Sequence, residues 1–136
     1  MSETKKFVIL PCSGIGKNVG TVGRWAAYEL VQNVRPDDTR LLCLARLTIA
    51  DEEAMDVLRT HPVVTIDGCP KSCASLNVER NACPVAKKYV MSKFLVKYKE
   101  LKLGVDVTDP GAAALEMAQR IAQDIAEDID QLKEEA

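Results

Sequence analysis

The sequence predicts an α/β fold: a single three-layer domain over residues 1–136, with a small, mostly parallel sheet of three to four strands. Helices cover both faces, and a long helix closes the carboxyl end. Three observations predict this. Short apolar runs at Phe7 to Leu10, Leu41 to Ala45 and Val63 to Ile66 have strand length without polar alternation, the pattern of strands buried on both faces. Segments between them space their apolar residues by three and four, as helices do. Strands alternating with helices connect by right-handed crossovers, which make the sheet parallel.

Taken in order, Phe7-Val8-Ile9-Leu10 is the first strand and ends at Pro11-Cys12-Ser13-Gly14. Gly14, Gly16 and Gly20 mark a strand-to-helix turn, and Val19, Val22, Ala26, Leu30 and Val34 continue as a helix stopped at Arg35-Pro36-Asp37-Asp38. Leu41 to Ala45 is the second strand. Thr48-Ile49-Ala50-Asp51 resembles a capping box with Asp in the Glu position, and the acidic residues 51 to 53 suit a positive helix start. That helix runs to Thr60, and Pro62 prevents its continuation.

Val63 to Ile66 is the third strand, and a third helix covers Cys69 to Arg80, with Cys69 at its cap and Pro70 in its first position. Tyr89 to Val96 is the fourth strand, interrupted by lysines. Asp109 and Pro110 open the last helix. Its stripe of Leu115, Ala118, Ala122, Ile125, Ile129 and Leu132 faces the sheet or, in a second reading, forms a homodimer seam. The pattern is too short to require a coiled coil.

Composition narrows the function. With 47% hydrophobic and 28% charged residues the chain has a globular balance. A net charge of -2 argues against a broad nucleic-acid face, and 4% aromatic residues argue against a base-stacking platform. No apolar run approaches the ~18 residues of a membrane span, and Phe7 to Leu10 is too short for a signal segment. The expected location is therefore the cytosol, where thiols stay reduced. The odd cysteine count of 5 then favours metal binding or thiol chemistry over a disulfide framework.

The placement of the cysteines is the main signal. Cys12 follows the first strand, Cys43 lies near the end of the second, Cys69 follows the third, and Cys73 comes four residues after Cys69. Parallel strands bring their carboxyl ends to one edge, where open α/β sheets carry their sites. Four thiols distant in sequence are thus expected in one crevice. Four unneutralised thiolates would repel one another; Zn²⁺ or an iron–sulfur cluster would neutralise them, and a tetrahedral all-sulfur zinc site suits this donor set. Cysteine also packs as a small hydrophobe, an alternative strongest for Cys43 within Leu-Leu-Cys-Leu. Cys83, in Asn81-Ala82-Cys83-Pro84, stands outside the pattern as a free thiol.

"LPCSGIGKNVGTVGRWAAYEL", "LLCLARLTIAD" and "IDGCPKSCA" together resemble the DGC-domain family, grouped as zinc-binding on its cysteine pattern. Asp67-Gly68-Cys69 is the tripeptide that names the family, and the match covers roughly residues 7 to 80. The resemblance implies four chelating cysteines, which map onto Cys12, Cys43, Cys69 and Cys73. It implies no reaction.

Other readings fit less well. Cysteine phosphatases place arginine six residues after the cysteine, where this chain has Asn18. A Walker loop needs Ser or Thr after Gly16-Lys17, and Asn18 stands there too. Radical-SAM spacing fails at Leu76. A redox pair at Cys69 and Cys73 and a four-cysteine iron–sulfur cluster both remain open. His61, the only histidine, falls on the amino side of the third strand, the wrong edge for a ligand or base. Asp67 reads as a turn former, a base or an outer-shell acceptor. Lys17, Arg24 and Lys71 are candidates for positive charge near the crevice, and Trp25 and Tyr28 for helix packing.

Overall fold

The computed structural model describes residues 6–12, 16–68, 71–81 and 83–135. Four strands, β1 (Phe7–Pro11), β2 (Thr39–Leu41), β3 (Val63–Asp67) and β4 (Lys87–Val90), form one sheet in the order β2-β1-β3-β4. Every pairing is parallel, with Ile9 opposite Leu41, Leu10 opposite Thr65, and Ile66 opposite Tyr89. The chain steps from β1 outward to β2, then back past β1 to β3 and β4. Strand order therefore reverses at β1, which makes the carboxyl ends beside it the expected place for a site.

The helices are α1 (Asn18–Glu29), α2 (Leu44–Thr48), α3 (Glu52–Thr60), α4 (Cys73–Arg80), α5 (Met91–Lys97) and α6 (Ala112–Glu135). Phe7 and Ile9 of β1 and Val64 and Ile66 of β3 pack on one face against α1, α5 and α6. Val8 and Leu10, with Val63, pack on the other face among α2, α3 and α4, where buried Cys83 joins them. The two central strands, β1 and β3, thus send alternate side chains into two apolar layers, which is why they read as short, largely hydrophobic runs.

Several element boundaries differ from the sequence expectation. The second strand ends at Leu41, and Leu44–Thr48, expected as strand and capping box, is the short helix α2. Asp51 itself caps α3, accepting the Ala54 N–H at 3.0 Å, and its carboxylate also takes Arg46 at 2.6 Å. The Ala54 hydrogen bond, then Arg46, hold the Asp51 carboxyl below the ordinary carboxylate range. The first helix widens into a π-helical turn at Leu30–Val34, closed by Arg35 N–H to Leu30 O at 2.7 Å. The expected strand Tyr89 to Val96 is instead the end of β4 followed by α5. Met91 and Phe94 there are spaced as a helix face and buried against the core.

The last helix begins at Ala112, after Gly111 at φ +101°, and not at Pro110. Its buried stripe runs through Met117, Ile121, Ile125 and Ile129, while Leu115, expected in the stripe, is exposed. That stripe lies in the cluster formed with α1 and the sheet. The apolar face that a homodimer seam would use is therefore covered within the chain. Among the described residues, no helix is long and apolar enough to cross a membrane.

Candidate metal centre

The carboxyl edge of the sheet is built around Gly68, which continues β3 past Asp67. A side chain there would stand 3.2 Å from Gly20 Cα and 3.5 Å from Cys12 Sγ. Glycine at both 20 and 68 is what lets the first turn of α1 come down onto the end of β3. Cys12 is held on the same spot from the other side. Its N–H donates to Ile66 O at 2.9 Å, and its Sγ accepts the Gly68 N–H at 3.2 Å.

Cys43 lies two residues beyond β2, in extended conformation at the cap of α2, and is exposed. It lines a cleft of about 440 Å³ together with Cys12. Cys73 opens α4 and is also exposed. The expected helix start at Cys69-Pro70 is moved: α4 begins at Cys73, after Ser72 in the left-handed region at φ 54°. Cys73 thus occupies the first helical position, not the fifth residue of a helix capped by Cys69. Cys69, Pro70 and Gly14 lie outside the described residues.

Three of the four expected ligands therefore come from three segments that end or begin at one edge, and two of them share a cleft. Among the described residues, no three of His, Cys, Asp and Glu come together as a complete metal site. The donor chemistry nonetheless fits a thiolate-bound ion: the sulfurs stand beyond the strand ends, and Cys12 Sγ takes a backbone N–H, the outer-shell contact a metal-bound thiolate accepts. Cys83 is buried in the apolar layer under α2, α3 and α4, 5% exposed, and its Sγ donates to Asn81 O at 3.5 Å. It packs as an apolar residue rather than standing as an accessible thiol.

Asp67 has a role that the sequence reading did not assign. It is 1% exposed, and its carboxylate accepts the N–H of Ala74 at 2.7 Å, the N–H of Ser75 at 3.3 Å and the hydroxyl of Ser75 at 2.9 Å. Thr65 Oγ1 and Ser75 Oγ are 2.6 Å apart, completing a buried polar group. The aspartate caps α4 from the neighbouring strand and ties the helix carrying Cys73 to the strand leading to Gly68. A signal was present in sequence: an Asp ending an apolar strand, with Ser placed to open a helix a few residues on. The turn-forming habit of Asp-Gly masked it.

His61 follows α3 on the amino side of β3, away from the thiols, and its ring nitrogen faces Val57 O and the Thr60 hydroxyl. Arg24 lines the cleft with Cys12 and Cys43. So does Tyr28, which the sequence reading assigned to helix packing and which is 43% exposed.

A parallel α/β sheet whose cysteines emerge at the carboxyl edge defines a thiol-bearing domain of a particular kind. The model of the DGC domain matches residues 8–125, and the chain belongs to that family. The match extends beyond the motifs to β4, α5 and most of α6. No curated protein and no solved structure matches the chain.

Proposed function

We propose that this protein binds one zinc ion through the thiolates of Cys12, Cys43, Cys69 and Cys73, in the reducing cytosol. The observation that carries the reading is the contact between Cys12 Sγ and the N–H of Gly68, the residue that precedes Cys69 in the chain. It links the first cysteine segment to the Asp-Gly-Cys segment, while the cleft links Cys12 to Cys43 and the Asp67 cap links Cys73 to the same strand. Membership of the DGC family is consistent with a metal-binding role.

Zinc would offset half the charge of four thiolates and fasten the ends of β1, β2 and β3 together. The protein's part is to deliver the thiols from separate strands and to supply backbone N–H groups to them. The reading assigns no reaction. Metal analysis of the purified chain tests it, with Cys-to-Ser variants at the four positions and at Cys83. Zinc lost at each of the four and kept at Cys83 supports it. Iron with visible colour would instead favour a cluster on the same thiols.

A further inference from the structure

We propose that zinc enters and leaves this site by exchange with a small thiol seated in the cleft between the carboxyl ends of β1 and β2, and that Cys43 is the ligand the thiol replaces. The inference rests on the zinc reading and adds the chemical class of the exchanging ligand and its point of entry. The cysteines that would hold the ion are not equivalent. Cys12 is fixed twice: its N–H donates to Ile66 O at 2.9 Å, and its Sγ accepts the Gly68 N–H at 3.2 Å. Cys43 is exposed, in extended backbone ahead of the five-residue helix α2, and its side chain makes no cap hydrogen bond. Leu42 and Leu47, both buried, anchor the backbone on either side of it. The Cys43 sulfur can therefore leave by side-chain rotation alone, a fast movement in an exposed residue. Cys73 is exposed too, but it does not line the cleft, and the Asp67 cap holds the start of its helix.

The cleft supplies the approach. At about 440 Å³ it is of small-molecule size, and Cys12 and Cys43 both line it, with Pro11, Leu41 and Leu44 as apolar walls. A ligand seated there meets an ion held between the two sulfurs from the Cys43 side. Zinc favours thiolate sulfur, which sets the class of that ligand. One thiolate replacing another leaves the charge around the ion unchanged, so the exchange needs no unpaired cation in the cleft. The incoming thiol gives its proton to solvent as its sulfur bonds to zinc. The bond from zinc to Cys43 Sγ breaks, and that sulfur takes a proton from solvent. Nothing is oxidised or reduced.

Zinc transfer from the loaded full chain, its zinc counted first, to the chromogenic chelator pyridylazoresorcinol tests this. The expected result is a transfer rate that rises in proportion to added mercaptoethanol and does not respond to its S-methyl ether. Ala45→Trp, at an exposed position of the cleft wall, should keep the zinc content and lower that slope severalfold. Iodoacetamide pulses followed by peptide mapping should show mercaptoethanol raising the labelling of Cys43 ahead of Cys12 and Cys73. The labelling needs no variant, so it decides the question even if Ala45→Trp fails to fold. Transfer independent of mercaptoethanol, equal acceleration by the S-methyl ether, an undiminished slope in folded Ala45→Trp, or labelling that rises at Cys12 or Cys73 in place of Cys43 would each overturn the inference. A purified chain without zinc contradicts the zinc reading and this inference with it; a zinc-loaded chain whose transfer ignores the thiol contradicts this inference alone.

Discussion

At the scale of single residues, Asp67 and Gly68 position the segments that carry Cys73 and Cys12. The Asp67 carboxylate is buried and accepts three hydrogen bonds from Ala74 and Ser75, so removing it strands the donors of the first turn of α4. Asp67→Ala should lower stability by about 2–3 kcal/mol, and Asp67→Asn, which keeps one acceptor oxygen, by roughly 1 kcal/mol, in urea unfolding. Equal stability of the two variants would mean that the cap does not hold α4. At Gly68 a methyl group would meet Gly20 Cα at 3.2 Å, a backbone atom that moves only with α1. Gly68→Ala should cost about 1–3 kcal/mol through this overpacking and weaken metal retention by displacing the N–H that Cys12 accepts. Asp67 was visible in the sequence as a residue but not as a cap, because its partners lie on the next helix. Gly68 was legible as a turn, yet its close approach to Gly20 depends on how α1 lies over β3.

At the scale of elements, the long-range hydrogen bonds show why α6 and the segment before it matter to an edge they do not form. The segment between α5 and α6 closes on itself at Gly104 N–H to Pro110 O, 2.6 Å. It then holds the start of α1: Asn18 Nδ2 donates to Gly104 O at 2.9 Å and Thr21 donates to Val107 O. Farther along, the hydroxyls of Tyr89 and Tyr98 donate to Asp128 and Asp124, docking β4 and α5 onto α6. Burial, then the neighbouring carboxylate, push both phenols above the ordinary tyrosine range. A phenol raised in the folded state contributes stability that is fully present below the unfolded value and is lost as pH rises toward the folded one. Alkaline titration followed by phenolate absorbance should show the Tyr89 and Tyr98 contributions above the ordinary range, and each should vanish in its Phe variant. Ionisation of Tyr89 at the ordinary value would contradict the docking. The buried strands β1 and β3 were legible as short apolar runs. β4 and α5 were misread because Met91 and Phe94 bury themselves against tertiary partners that no local period reveals.

At the scale of the whole molecule, the sheet carries its own core. Val8, Ile9 and Leu10 are fully buried between two apolar layers, and α6 covers one face with residues that are 0% exposed from Ala114 to Ile125 along its buried stripe. A domain packed in this way does not need a metal to collapse, unlike a zinc finger. Chelation should therefore lower the melting temperature but leave a cooperative transition and the helical circular dichroism, since metal stabilises only by mass action on the folded state. Unfolding on chelation would make the site a structural one. The parallel architecture, and the position of Cys12 and Cys43 just past the ends of β1 and β2, follow from strand–helix alternation, which is why that much was readable without coordinates. The order β2-β1-β3-β4 and the cleft beside Cys43 depend on contacts across the sheet, and these leave no local mark in the chain. The most direct test of the central claim is metal content per chain in the purified protein and its Cys-to-Ser variants. Colourless wild-type protein with one zinc, lost on changing Cys12, Cys43, Cys69 or Cys73 and retained on changing Cys83, is the result expected; iron in place of zinc, or zinc that survives each of the four changes, would contradict it.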